Sequence, residues 1–210
     1  MRRFIYKLER IVSKIAVDNL MLVVIGAMGI VYLANMFVPE LYPLLTFNRE
    51  LILSGQVWRV LTFLFLSDEP QLIYFLLFAY FYWWIGSSLE NYWGKSKFCA
   101  YYYLGAILLI ASGFIAGATT AAYLNLSLFF AFAALDPNHQ ILLFFILPVK
   151  IKWIAWLNAA YFIYMFIFSG FAVRLAIIAS FLNFFIFFFD DIIRHIRIFI
   201  WDMKYRMRRK

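Results

Sequence analysis

The chain has little charge, almost no cysteine, few prolines and few histidines. Charged residues make up only 14% of its 210 residues, against roughly a quarter in soluble domains. The apolar excess that replaces them runs the whole length, so no stretch is left over for a soluble domain of ordinary size. A single cysteine, Cys99, excludes a disulfide within the chain and leaves no Cys-based metal site. The two histidines, His139 and His195, both sit beside polar or charged residues, outside the apolar runs. There are five prolines, and none interrupts a long apolar run. No metal or cofactor is expected.

What is present is hydrocarbon. Apolar residues reach 66% and aromatic residues 22%, with a net charge of +8. A helix that crosses a bilayer needs about 20 mostly apolar residues. Six runs are predicted to be spans: Asn19–Phe37, Gln71–Ser88, Phe98–Ala118, Ala121–Leu135, Ile151–Phe168 and Phe171–Phe189. The fourth is short for a full crossing. A short helix is tolerated if its free end is buried among neighbours. The prolines mark edges: Pro39 and Pro43 follow the first span, Pro70 opens the second, Pro137 ends the fourth and Pro148 precedes the fifth. Ser67 and Asp68, just before Pro70, are candidates to cap the second span. The short run Ile141–Val149 has under half the needed length and is expected at the inner interface.

The basic residues flank these runs, so anionic lipid headgroups are the expected partner rather than nucleic acid. The N-terminal segment carries five basic and two acidic residues, and the tail from Asp190 onward seven basic and three acidic. By the positive-inside rule both termini are expected in the cytoplasm, and the composition points to a bacterial plasma membrane. Three units follow: a basic amphipathic segment (1–18), a six-helix membrane domain (19–190) and a basic amphipathic tail (191–210). Amphipathic basic helices settle at the headgroup boundary. The first loop, Val38 to Glu69, is too long for a simple connector and apolar enough to lie in the interface. There Trp58 and Arg59 are candidates to contact lipid or a partner.

Inside the spans, Asn125, Ser127, Asn158, Ser180 and Asn183 are polar. In hydrocarbon such groups must find partners, and bonds between helices are the usual outcome. They are equally candidates to line a polar cavity for a client helix. Gly113 and Gly117 form a Gly-x-x-x-Gly pattern, and Ala172, Ala176 and Ser180 a ridge of small residues. Both suit close helix packing. Gly86, Glu90 and Gly94 are candidate structural residues at the end of the second span and the tight turn after it.

Three stretches resemble the rhomboid superfamily. Gly55-Gln56-Val57-Trp58-Arg59 looks like the Trp-Arg motif of rhomboids and derlins. Tyr82 to Gly94, then Phe98 and Tyr101, looks like the end of rhomboid helix 2 and the start of helix 3. Asn125-Leu126-Ser127-Leu128, with Asp136-Pro137 and Ile146-Leu147-Pro148-Val149-Lys150, is similar to the fourth helix and its following loop, with a derlin flavour. The resemblance covers about Asn19 to Asp191. It implies an all-α membrane protein, a rhomboid-like bundle of six transmembrane helices with a long interfacial first loop.

Rhomboids are intramembrane serine proteases, so the resemblance also implies where a site would lie. Ser127 falls at the nucleophile position. The helix 6 base position falls on Ala176, and the helix 2 oxyanion positions fall on Tyr74 and Phe78. A serine needs a base to take its proton, and no histidine lies in the last span. The expectation is therefore a pseudoprotease, not an enzyme. By resemblance to derlins it would recognise client transmembrane helices through Trp58, Arg59, Asn125, Ser127, Ser180 and Asn183. It would hold them or pass them to membrane quality control, with an ATP-dependent membrane protease or chaperone as partner. Alternatives are an active protease using Ser127 with an unusual base, and a small transporter or channel.

Overall fold

A computed structural model describes residues 2–143 and 147–207, with side chains for 3–141 and 148–189. Among the described residues five helices are long and apolar enough to cross a membrane: α2 (Leu20–Phe37), α6 (Leu72–Trp93), α7 (Lys95–Ala116), α9 (Ile151–Phe168) and the first half of α10 (Phe171–Met207). This is a mostly helical integral membrane protein. The sixth expected span is α8 (Ala122–Leu135), a helix of 14 residues. At 1.5 Å per residue it is about 21 Å long, short of a hydrocarbon core of roughly 30 Å. It compensates by being enclosed: Leu124 to Phe129 are all buried.

Helix α7 is the hub. It packs against α10, α6, α8 and the N-terminal helix α1 (Arg2–Val12). Its inward residues Phe98, Cys99, Ala100 and Tyr101 are fully buried. Helix α9 is the reverse case. Its only buried residue is Ile151, and Trp156, Leu157 and Phe168 point outward. Helices with an apolar surface all round are suited to lipid.

Segment 1–18 was expected to lie on the membrane surface, yet α1 is joined to the bundle. Val12 is buried, and Ile5, Leu8 and Ala16 pack on the core. The Cys99 thiol reaches the Val17 carbonyl at 3.5 Å. The link to α2 turns at Asn19, which adopts a left-handed conformation (φ 53°) that asparagine tolerates better than most residues. Its N–H is accepted by Glu90 Oε1 at 2.9 Å. Lys95 pairs with Asp18 at 2.9 Å close by. Glu90 thus serves the entry to α2 rather than the α6–α7 turn alone. That turn is made by Gly94, whose φ of +78° few residues other than glycine adopt.

The first loop is a folded cap rather than a bare strip of interface. It forms α3 (Leu41–Leu45), α4 (Arg49–Leu53), α5 (Arg59–Thr62) and a 3-10 turn at Phe63–Phe65. Phe47 is buried and packs edge-on against Phe63 and Phe114, with ring centroids 5.3 and 5.5 Å away. Asn48 caps α4 by accepting from the Glu50 and Leu51 amides. At α6 the expected cap does not form. Ser67 accepts from Glu69 N–H instead, and Asp68 takes the Tyr42 hydroxyl.

Two features depart from an all-α bundle with a separate tail. Strands β1 (Gln140–Leu143) and β2 (Leu147–Lys150) pair antiparallel, with Ile141 opposite Val149. The run expected at the inner interface is therefore a hairpin. Ile146 of the motif quoted above lies outside the described residues. Helix α10 continues without a break for 37 residues, so no change of structure marks the expected boundary at 190. The last three residues and the side chains of the tail lie outside the description.

Candidate functional site

The polar residues of the membrane domain meet where α7, α8 and α10 come together. A glycine permits the meeting. A Cβ on Gly105 of α7 would lie 2.4 Å from Leu124 Cδ1 and 2.7 Å from Asn183 Nδ2, so a larger residue would push both side chains aside and disturb the meeting of the three helices. Along α10, Ala176, Ser180 and Asn183 follow each other at spacings of four and three. This puts them on one face, and all three are buried.

Ser127 lies on α8 and is 1% exposed. The Tyr101 hydroxyl donates to the Ser127 carbonyl at 2.9 Å and also meets the Ser127 hydroxyl in a short contact. Asn183 Nδ2 donates to Ser127 Oγ and to the Tyr101 carbonyl, each at 3.3 Å. One proton assignment satisfies every donor. Tyr101 O–H goes to the Ser127 carbonyl, Ser127 O–H to the phenol oxygen, and the amide to Ser127 Oγ. One acceptor is left over, since Asn183 Oδ1 is buried with no partner among the described residues. The amide cannot simply be flipped, because its N–H₂ must face the Tyr101 carbonyl.

This arrangement holds Ser127 but does not activate it. A neutral phenol and an amide have no site that takes a proton near neutral pH. Ala176, at the position implied for the base, carries no polar atom. Tyr74, at an implied oxyanion position, is 52% exposed and faces away from the bundle. Phe78, at the other, packs on Tyr82 with ring centroids 4.6 Å apart.

No protein-family model matches the chain, and no curated protein matches it.

The remaining candidates scatter. Ser180 donates to the Tyr123 carbonyl at 2.6 Å and ties α10 to α8 one turn from the knot. Asn125 is buried on α8, next to the knot in sequence. Asn158 satisfies itself, donating to the Ile154 carbonyl of its own helix at 3.0 Å. Arg59 was expected to face lipid or a client, but it is 2% exposed. Its guanidinium donates to the carbonyls of Pro43 and Thr46 at 2.7 and 2.9 Å, and to Gln56 Oε1 at 2.7 Å. It is a clamp for the first loop. Trp58 is about half exposed, and its indole N–H is held by the Leu44 carbonyl at 3.2 Å.

The glycines are also redistributed. Gly86 lets α6 approach α2, because a Cβ there would meet Met21 at 2.4 Å. Gly113 faces Phe47 and Thr119 of neighbouring loops rather than another span. Gly117 ends α7 with a φ of +96° and is not part of a helix-packing pair.

Tyr101 was named beforehand only as part of a motif. Its role depends on contacts 26 and 82 residues away along the chain. A fully buried tyrosine needs a partner for its hydroxyl, but burial of this one among 14 tyrosines is not legible in the sequence.

Proposed function

We propose that the chain is a rhomboid-like membrane protein without protease activity, which recognises transmembrane segments of client proteins and holds or delivers them to membrane quality control. The observation that carries this reading is the Ser127 knot: a serine at the implied nucleophile position, locked by Tyr101 and Asn183, neither of which takes its proton. A second fact supports the recognition half. Asn183 Oδ1 is a buried acceptor with no partner among the described residues, and an unsatisfied polar group inside a membrane-crossing segment costs several kcal/mol. Asn183 is 0% exposed, so a client helix bearing a donor would relieve that cost only by parting α8 and α10, while an all-apolar helix would not relieve it at all. The short α8 and the apolar first loop favour local thinning of the bilayer, which draws polar client helices to the same place.

The test is co-purification of the full chain in gentle detergent with a client series. Its members differ only in one central residue, leucine against serine or asparagine. Preferential retention of the polar members, with intact termini, is the expected result. Retention independent of helix polarity sinks the recognition reading. New termini inside client spans that vanish in Ser127→Ala would restore a protease.

A further inference from the structure

At the end of the bundle away from α1, the last turns of α2 and the first loop through Pro70 line an open cleft of about 400 Å³. That is within the usual range for a small-ligand site. Its lining combines the apolar Val31, Met36 and Leu66 with the acidic Asp68 and Glu69 and with Ser67. Behind it lies a recess of about 60 Å³ that shares Tyr42, Leu66 and Asp68 with the cleft. Thr119 lines the recess. It is 9% exposed, and its Oγ1 has no partner among the described residues.

The chemistry of the lining selects a cation. No lysine, arginine or histidine lines either space, and neither carboxylate forms an ion pair among the described residues. This is unusual in a chain with a net charge of +8. The lining does not suit a metal ion. Among the described residues no group of three or more His, Cys, Asp or Glu side chains is placed to hold one. Asp68 is already committed in part to the Tyr42 hydroxyl at 2.5 Å. An organic ammonium needs less. Three N–H donors would be met by Asp68, by Glu69 and by the recess, which is large enough for a water that Thr119 Oγ1 can engage.

The position selects the source of the ammonium. The cleft sits at the ends of two membrane-crossing helices, the depth of lipid headgroups. Its apolar lining includes Met36, which is 58% exposed on α2 and beside which an acyl chain would lie. We propose that this cleft binds the primary ammonium headgroup of an aminophospholipid, with the lipid chains along α2. The site is separate from the Ser127 knot and stands or falls independently of the client-recognition reading.

The test is lipid retention by the full chain in native mass spectrometry, with phosphatidylethanolamine, phosphatidylcholine and phosphatidylglycerol offered in equal amounts. Phosphatidylethanolamine is expected to be retained over phosphatidylcholine, whose quaternary ammonium has no N–H. Glu69→Gln and Asp68→Asn are each expected to lower that retention roughly tenfold or more, the worth of one charged hydrogen bond. Both are close to isosteric. Asp68→Asn still accepts from Tyr42, and Glu69→Gln leaves the Tyr42–Asp68 bond untouched, so an unchanged elution volume certifies the fold. Equal retention of all three lipids, a preference for phosphatidylglycerol, or wild-type retention by Glu69→Gln overturns the proposal. So does calcium binding or capture of a lysine-bearing peptide that depends on Glu69 while the lipid preference is absent.

Discussion

Asn183 donates to Ser127 Oγ across 3.3 Å and, on the same amide, buries an Oδ1 that has no partner among the described residues. A group that is half satisfied is a stability liability. Replacing it with an apolar group of similar shape removes the unpartnered acceptor, and Tyr101 and Ser127 keep their bonds to each other, so the change is close to neutral or stabilising. Asn183→Leu is expected to melt at or above the wild-type temperature in detergent while losing preference for polar client helices. A variant that melts far lower would mean the amide is a net stabiliser and the liability argument is wrong.

Ser127→Ala removes one hydroxyl from the knot and leaves the Tyr101 bond to the Ser127 carbonyl in place. The expected loss is about 1 kcal/mol, read from thermal unfolding. The termini of co-purified clients should not change.

Glycine substitutions offer an internally controlled measurement. A Cβ at Gly105 or Gly86 would meet side-chain carbon at 2.4 Å, whereas at Gly26 and Gly29 nothing lies within 4 Å. Alanine at the first pair is expected to cost about 1–3 kcal/mol through overpacking. At Gly26 and Gly29 it should be neutral or gain about 0.5–1 kcal/mol, because both lie inside a helix. Equal effects at all four positions would contradict the packing of α2, α7 and α10 described above.

Arg59→Ala strands two loop carbonyls at roughly 1–3 kcal/mol each. Arg59→Lys should not rescue it, since an ammonium on a flexible stem does not reproduce the guanidinium fork. The readout is protease cleavage between residues 38 and 69, expected to rise in both variants. Protection equal to wild type in Arg59→Lys would show that charge alone suffices.

The Tyr42 phenol is pushed well above its usual range, first by burial and then by its bond to Asp68 and that carboxylate's charge. Its contribution to stability is thus fully present below the ordinary phenol value of about 10. It is lost as pH rises through the higher folded value. The difference in phenolate absorbance between wild type and Tyr42→Phe should accordingly appear at higher pH than for an exposed tyrosine. Ionisation of Tyr42 at the ordinary value would exclude the bond.

The spans were legible in the sequence because a run of about 20 apolar residues has few alternatives. Helix α8 was legible as a shorter apolar run, and Asn125, Ser127, Ser180 and Asn183 stood out as polar residues in apolar segments. What the sequence hid was direction. An arginine beside a tryptophan in an apolar loop reads as an interfacial anchor, yet Arg59 turns inward because Pro43 and Thr46 present bare carbonyls to it. The docking of α1 was hidden too. Its inward residues Val12 and Leu8 follow the spacing that would equally suit a lipid surface. Hairpin Gln140–Lys150 was masked by a run too short to span and by Pro148, which a strand accepts only at an edge or bulge.

Helix α10 passes from the Asn183 knot to Met207 with no interruption. About 18 residues lie beyond Phe189, some 27 Å at 1.5 Å per residue. A continuous helix of that kind is stiff, so it acts as a lever. A tilt of roughly 10° at Asn183 would carry Met207, about 36 Å further along the helix, by about 6 Å. If the polar site takes a client helix as proposed, its occupancy would be readable as displacement at Met207.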